Sequence, residues 1–242
     1  MTAGASGWKR ILLKISGEGM CKTGSTGIDP EEVDFVAAES KAVHALGIQV
    51  AIVIGGGNIV RGSEFARRGL HKATADHMGM LATVINALAL QDSLERRYRV
   101  ETRVLTAINM EDVAEPYIRR RCIRHLEKGI IAILAAGTGN PFFTTDTAAA
   151  LRACEIGADA LLKATKVDGV YDSDPATNPA AKKYDHLNYM QVIKDRLKVM
   201  DSTAIAMCME NGVPINVFNL KKKGNIKRIV TGKKVGTLIN GD

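Results

Sequence analysis

Three stretches of nearly continuous apolar residues, each running into a glycine-rich turn, restrict the folds open to this chain more than any other feature. Residues 10–16 carry Ile11, Leu12, Leu13 and Ile15, interrupted by Lys14 and followed by Gly17-Glu18-Gly19. Residues 48–54 run into Gly55-Gly56-Gly57-Asn58, and residues 130–135 into Gly137-Thr138-Gly139-Asn140-Pro141. A strand with one face in water alternates apolar and polar residues. These runs do not alternate, so they read as strands covered on both faces, as in parallel sheets.

Helical signals fall between the strands. Asp29-Pro30-Glu31-Glu32 places an N-cap, a proline at the first helical position and acids in the first turn, and Gly47 fits the helix stop. A long helix is expected over residues 76–97, with Met78, Leu81, Ile85, Leu88 and Leu94 as its apolar stripe. Further helices are expected over 115–128, from about Asp146 to Gly157 with Thr144 or Thr145 as cap, over 201–211 and over 224–230. Strands are expected over 102–108, 160–164, 215–218 and 236–239, with a long polar segment over 165–184. Repetition of strand, glycine turn and helix predicts an α/β fold with a mainly parallel sheet and helices on both faces. No linker or internal repeat divides the chain, so residues 9–242 are expected to form one domain behind a short tail, residues 1–8.

Composition narrows the functional classes. The 242 residues carry 33 Lys plus Arg against 26 Asp plus Glu, a net charge of +7, and are 46% apolar, which excludes a disordered chain. The longest apolar stretch, residues 78–90, is broken by Asn86 and falls short of the roughly 18 residues of a membrane span. Residues 1–8 lack the layout of a secretory signal. Cys21, Cys122, Cys154 and Cys208 have no CxxC spacing and read as free thiols of a reducing cytoplasm. The positive charge suits polyanionic ligands. Arg119-Arg120-Arg121 and Lys221-Lys222-Lys223 have no aromatic residues among them and read as solvated faces, which argues against single-stranded nucleic acid and makes nucleic acid an unexpected partner.

In open α/β sheets, ligands bind beyond the carboxyl ends of the strands, where glycines let backbone N–H groups approach phosphates. Three such turns suggest a ligand, or two, with several phosphates. Neither G-x-x-x-x-G-K-[ST] nor G-x-G-x-x-G after a strand occurs, so the P-loop and nicotinamide-dinucleotide folds are not supported. Lys14 is either a strand-end lysine reaching solvent or a cation aimed at a transferring phosphoryl group. Asp146 and Asp201 can cap helices, position a lysine or accept a hydroxyl proton. Asp76 can cap its helix or accept hydrogen bonds from sugar hydroxyls. Arg61 can chelate phosphate or be a solvated loop charge.

The strings carrying these residues, namely KRILLKISGE from Lys9, VIGGGN from Val53, DHMGMLAT from Asp76, AGTGNPFFTTD from Ala136, LKATKVDGVY from Leu162 and KVMD from Lys198, resemble the amino acid kinase family and, within it, the bacterial UMP kinases. The resemblance runs from about Lys9 to Ile239. It implies a three-layer αβα sandwich, transfer of the ATP γ-phosphoryl group to UMP in pyrimidine nucleotide biosynthesis, Mg²⁺ with the ATP, and a cytoplasmic homohexamer. By the resemblance, Lys14, Asp146 and Asp201 organise the transfer. Lys14, Ile15, Ser16, Gly17, Gly57 and Arg61 belong to the ATP phosphates, and Thr165, Tyr171 and Asp174 to adenine and ribose. Gly56, Asp76, Thr138, Gly139, Asn140, Pro141, Phe142, Phe143, Thr144 and Thr145 belong to UMP. Lys22, Thr23, Gly24, Ser25, Thr26 and Gly27 correspond to a loop through which GTP activates, while UTP inhibits. Lys163 and Lys166 are near ATP by sequence proximity alone.

Two other readings compete. A related kinase could take a carboxylate or carbamate as acceptor. A chain with this charge could be a nucleotide sensor or DNA-binding regulator without activity, although no helix-turn-helix signal or basic tail supports the latter.

Overall fold

The computed structural model describes residues 7–61, 65, 67 and 69–241. Its strands are β1 (Arg10–Ile15), β2 (Gln49–Ile54), β3 (Thr102–Thr106), β4 (Glu115–Pro116), β5 (Ile131–Ala135), β6 (Ala160–Thr165), β7 (His186–Asn188), β8 (Ile215–Asn219) and β9 (Thr237–Asn240). Its helices, numbered among the described residues, are α1 (Pro30–His44), α2 (Lys72–Tyr98), α3 (Arg119–Glu127), α4 (Thr145–Ile156), α5 (Tyr189–Lys194), α6 (Ser202–Glu210) and α7 (Asn225–Val230).

The strands form one sheet in the order β4-β3-β5-β2-β1-β6-β8-β9-β7. From β4 to β8 every pairing is parallel, and β9 runs antiparallel to β8. The apolar runs are the reason for this order: β1, β2, β5 and β6 lie in its middle, where both faces are covered. Successive side chains alternate between faces. Ile11, Leu13 and Ile15 enter a core shared with α1, α2 and α7, whereas Leu12 enters a second core shared with α3, α4, α5 and α6. Two cores on either side of one sheet make the three-layer αβα sandwich. Each fully buried Leu or Ile contributes roughly 2 kcal/mol of transfer free energy.

The helix signals act as expected at α1, where the Asp29 side chain accepts from Glu31 N and Glu32 N. That helix ends at His44, three residues before Gly47, which takes φ +80° in the following turn. Other expectations need correction. α2 begins a turn earlier than expected, so Asp76 lies inside it and is not its cap. Leu81 and Ile85 of the expected stripe are 49% and 50% exposed, because the buried face runs instead through Met80, Val84, Ala87, Leu90 and Leu94. The helix expected from Glu115 starts at Arg119, because Glu115 and Pro116 extend the sheet edge by pairing with Leu105 and Thr106. β7 and α5 leave no periodic signal in the sequence. β7 has only three residues and α5 six, too short for a periodic pattern to register.

Cys21, Cys122, Cys154 and Cys208 are free, and all but Cys154 are buried. The two basic runs are exposed, as expected. No described helix is long and apolar enough to cross a membrane.

Candidate active site

Lys14 and Lys163 are register partners on β1 and β6, so their side chains leave the same face of the sheet. Both reach one carboxylate. Lys14 Nζ lies 2.7 Å from Asp146 Oδ1, and Lys163 Nζ donates to Asp146 Oδ2 at 2.7 Å. Lys163 Nζ also donates to the Val199 carbonyl. Lys14 is 8% exposed, so it does not reach out to solvent. Burial pushes the Asp146 carboxyl up, but the two ammonium groups outweigh it and hold the acid below its ordinary range. Burial also pulls Lys163 below its ordinary value, against the opposing pull of Asp146. Lys14, Lys163 and Asp146 together carry one net positive charge, which the nearby Asp201 carboxylate, also felt by Lys163, offsets in part.

Two helix N-termini meet at this cluster. The Thr144 hydroxyl accepts from Asp146 N at 3.0 Å and Thr147 N at 3.1 Å, which caps α4. The same hydroxyl donates to Asp201 Oδ2, which also receives the Thr147 hydroxyl at 2.9 Å. Asp201 Oδ1 accepts from Ala204 N at 2.9 Å and caps α6. Asp201 is therefore both a cap and a tie between the two helices. The positive ends of two helices point at this region, with Asp146 N, Thr147 N and Ala204 N taken up by the Thr144 hydroxyl and the Asp201 carboxylate.

Beside the cluster, a cavity of about 370 Å³ is lined by Gly56, Gly57, Asp76, Thr138, Asn140, Phe142, Phe143, Thr144 and Thr145, with Lys72, Gly79 and Thr83. It gathers most of the residues expected to hold an acceptor nucleotide. Pro141 and Gly139 lie in the same turn. Asp76 takes two contacts from Lys72, at 2.5 and 2.6 Å, and one from Phe142 N at 2.8 Å. Burial raises its carboxyl, and these donors more than offset that and lower it. The turn is contorted: Ala136 and Phe142 adopt φ +61° and +72° without being glycine, a conformation that costs roughly 1–2 kcal/mol each. Gly56 allows close approach, since a Cβ there would fall 2.5 Å from the Gly79 carbonyl of α2.

A second cavity, about 520 Å³, is lined by Lys163, Thr165, Tyr171 and Asp174, together with Asp172 and the segment 195–199. The polar stretch expected over 165–184 thus forms one wall, fastened by a bridge between Tyr171 and Lys183. Lys163 links this cavity to Asp146, and Asp146 follows directly on Thr144 and Thr145 of the first.

A third, about 390 Å³, lies between Glu18, Arg61, Lys166, Gly57, Asn58 and the loop containing Lys22, Gly24, Ser25 and Thr26. The Glu18 carboxylate binds Arg61 and, at 2.5 Å, Lys166. The Lys166 hydrogen bond, with the charge of Arg61, lowers its pKa against burial. Arg61 is thus held in the loop region after β2. Thr23 and Gly27 belong to the same loop, and Gly27 N donates to Asn58 O at 2.8 Å.

Four residues matter more than sequence reasoning indicated. Lys163 completes the charge cluster. Asn86, seen only as a break in an apolar run, is fully buried and exchanges side-chain hydrogen bonds with Asn58 while donating to Gly55 O at 2.8 Å. Asn58 also donates to Gly27 O at 2.7 Å, so this amide pair ties two loops to α2. Thr83 accepts from Ala136 N at 2.8 Å and steadies the contorted turn. The signal for Asn86 and Thr83 was a polar side chain within an otherwise apolar helical stretch.

Residues 9–219 match the family model described as the amino acid kinase family. The chain belongs to the amino acid kinase family. Its structure is similar to that of UMP kinase from Bacillus anthracis, at 42% sequence identity over 97% of each chain with a TM-score of 0.94. It is also similar to UMP kinase from Ureaplasma parvum, at 39% identity over 96% of this chain and 99% of that one, TM-score 0.90. The uridylate kinase of Archaeoglobus fulgidus matches at 27% identity over 95% of this chain and 99% of that one, TM-score 0.71.

Proposed function

We propose that the protein is a UMP kinase that transfers the γ-phosphoryl group of ATP to UMP, giving UDP and ADP in pyrimidine nucleotide biosynthesis. The observation that carries this reading is the Lys14–Asp146–Lys163 cluster, net positive and set between two cavities, one bearing Lys163 and the other bearing Thr144 and Thr145. The similar solved UMP kinases support the choice of acceptor.

In this reading, Thr165, Tyr171 and Asp174 hold adenine and ribose. Residues 14–17, Gly57 and Arg61 hold the triphosphate. Gly56, Asp76 and the turn from Thr138 to Thr145 hold UMP. An oxygen of the UMP phosphate attacks the γ-phosphorus, the bond to the β,γ-bridging oxygen breaks, and ADP leaves. The attacking oxygen is already anionic at neutral pH, so no general base is needed. Two anions must nevertheless be brought together. Lys14 and Lys163 offset their repulsion and the charge that builds in transfer, while Asp146 keeps both ammonium groups aimed at one point. Asp201 holds the N-termini of α4 and α6 in place.

Asp146 and Asp201 already use their oxygens within the protein, and no group of three or more metal-ligating side chains gathers among the described residues. In this reading Mg²⁺ bound with the ATP would supply positive charge against the phosphates, in keeping with its preference for phosphate and water ligands. GTP activation and UTP inhibition belong to the same reading, with the loop from Lys22 to Gly27 as the responsive element. So does a cytoplasmic homohexamer, for which Leu81 and Ile85 offer apolar surface on α2.

The test is ADP release from ATP and Mg²⁺ with UMP, CMP, dUMP, carbamate and aspartate offered separately, each with and without GTP. Turnover with UMP alone is expected. Turnover with carbamate or aspartate in its place would overturn the acceptor, and turnover with none would favour a sensor.

A further inference from the structure

Arg152 of α4 is a guanidinium that the transfer chemistry does not use, yet it is 6% exposed. A charge so far from water needs partners, and three converge on it. Nη1 donates to Glu155 Oε2 at 2.7 Å, Nη2 donates to the Gly137 carbonyl at 3.2 Å, and the plane lies 3.9 Å from the centre of the Tyr117 ring. The Tyr117 hydroxyl donates to the same Glu155 oxygen at 2.7 Å. Glu155 neutralises the charge locally and Tyr117 fixes the plane, so one arm of the fork is left for a backbone carbonyl.

That carbonyl belongs to the turn lining the acceptor cavity, and it lies within the contorted part of that turn. Ala136 and Gly137 take φ +61° and +59°, and Gly139 takes φ +81°. The peptide joining Gly137 to Thr138 is trans, so its C=O and N–H point in opposite directions. Fastening the Gly137 oxygen to Arg152 turns the Thr138 N–H away from Arg152. Gly137 and Thr138 line the cavity and Arg152 does not.

We propose that Arg152 is a positioning residue for the acceptor phosphate: by holding the Gly137 carbonyl outside the cavity it presents the Thr138 amide to the phosphate of UMP, with Tyr117 and Glu155 locking the guanidinium in that pose. The proposal rests on the UMP kinase reading. Its action is geometric, since Glu155 already balances the charge. A lysine in the same place has a single ammonium and lacks the planar fork that serves two partners while stacking on a ring.

The experiment is steady-state kinetics of the full chain as wild type, Arg152→Met, Arg152→Lys and Tyr117→Phe, varying UMP and ATP separately, with thermal melting of each. In Arg152→Met the KM for UMP is expected to rise by about tenfold or more while the KM for ATP stays within about twofold, the pattern of a lost contact on one substrate. Arg152→Lys is expected to fall between it and wild type. If Arg152→Met does not fold, Tyr117→Phe keeps the ring and removes only the hydroxyl, and a rise of about threefold in the KM for UMP alone is expected. A KM for UMP unchanged in the variants that fold, or both KM values rising together, overturns the proposal and leaves Arg152 a structural residue. A wild type that turns over no UMP removes the underlying reading instead.

Discussion

Lys14 and Lys163 stand opposite each other on adjacent parallel strands and end on the two oxygens of one carboxylate, Asp146. Two ammonium groups this close repel, and in a buried site the repulsion is poorly screened. Asp146 holds the pair together, and in the proposed mechanism the pair faces the phosphates.

Removing either lysine separates chemistry from binding. Lys14→Met and Lys163→Met are expected to lower kcat by at least about 100-fold with modest changes in either KM, because the lost interaction is strongest with the transferring group. Single-turnover measurements check this, and a wild-type kcat in Lys14→Met would remove the residue from the mechanism. Asp146→Ala leaves two buried cations facing each other and is expected to destabilise the fold by about 3–5 kcal/mol, read by urea denaturation.

The pH dependence has two limbs. Asp146 is held below its ordinary value of 3.8, so the stability it contributes is complete above that value and is lost as pH falls through the lowered folded one. Asp76 acts in the same sense. Lys163 lies below its ordinary 10.5, so between the lowered folded value and 10.5 the unfolded chain binds more protons and stability rises with pH through this group. In the proposed mechanism activity is expected to move the other way there, since a neutral Lys163 does not offset phosphate charge. Denaturation and kcat measured across pH are expected to diverge in the alkaline range, and the Lys163→Met variant to lose that divergence.

Gly56 and Gly57 are adjacent but should respond differently. An alanine side chain at Gly56 would fall 2.5 Å from the Gly79 carbonyl and 2.8 Å from the Ala82 Cβ, whereas at Gly57 it would meet nothing within 4 Å. Gly56→Ala is expected to destabilise by about 1–3 kcal/mol, as overpacking does, and to raise the KM for UMP by pushing α2 from the cavity. Gly57→Ala is expected to melt as wild type does.

Asp76 already binds Lys72 and Phe142 N, so a sugar hydroxyl must share its oxygens. If it reads the ribose, wild type discriminates against dUMP, and Asp76→Asn narrows the gap between the kcat/KM values for UMP and dUMP. Equal values for the two in wild type would remove that role.

Burial pushes the Cys122 and Cys208 thiols up to about 12, so neither is a thiolate at neutral pH. Alkylation of these two is expected only through unfolding, and UMP and ATP together to slow it. Labelling at the rate of a free thiol in the folded chain would contradict the packing.

The parts of this architecture legible in the sequence were those whose physics is local. Continuous apolar runs revealed the central strands, Asp29 revealed one cap and the Thr144-Thr145 pair narrowed another to two residues, and Lys14 stood out as a cation in an apolar strand. Lys163 has a similar setting on β6, but its meaning depends on a register partner that the chain does not bring near in sequence. Asn86 looked like an interruption because its partners, Asn58 and Gly55, are supplied by another loop. Leu81 and Ile85 followed helical periodicity yet face outward, since spacing cannot tell which of two apolar faces meets the sheet. At Glu115, pairing with β3 overrode a pattern that read as helix.

Gly57 borders both the cavity bearing Asp76 and the cavity beside the loop from Lys22 to Thr26. One backbone segment therefore forms part of two cavity walls. Any ligand that displaces it from one side alters affinity on the other, and thermodynamic reciprocity makes the factor the same in both directions. Were both cavities to take ligands, their occupancies would be linked through this one turn.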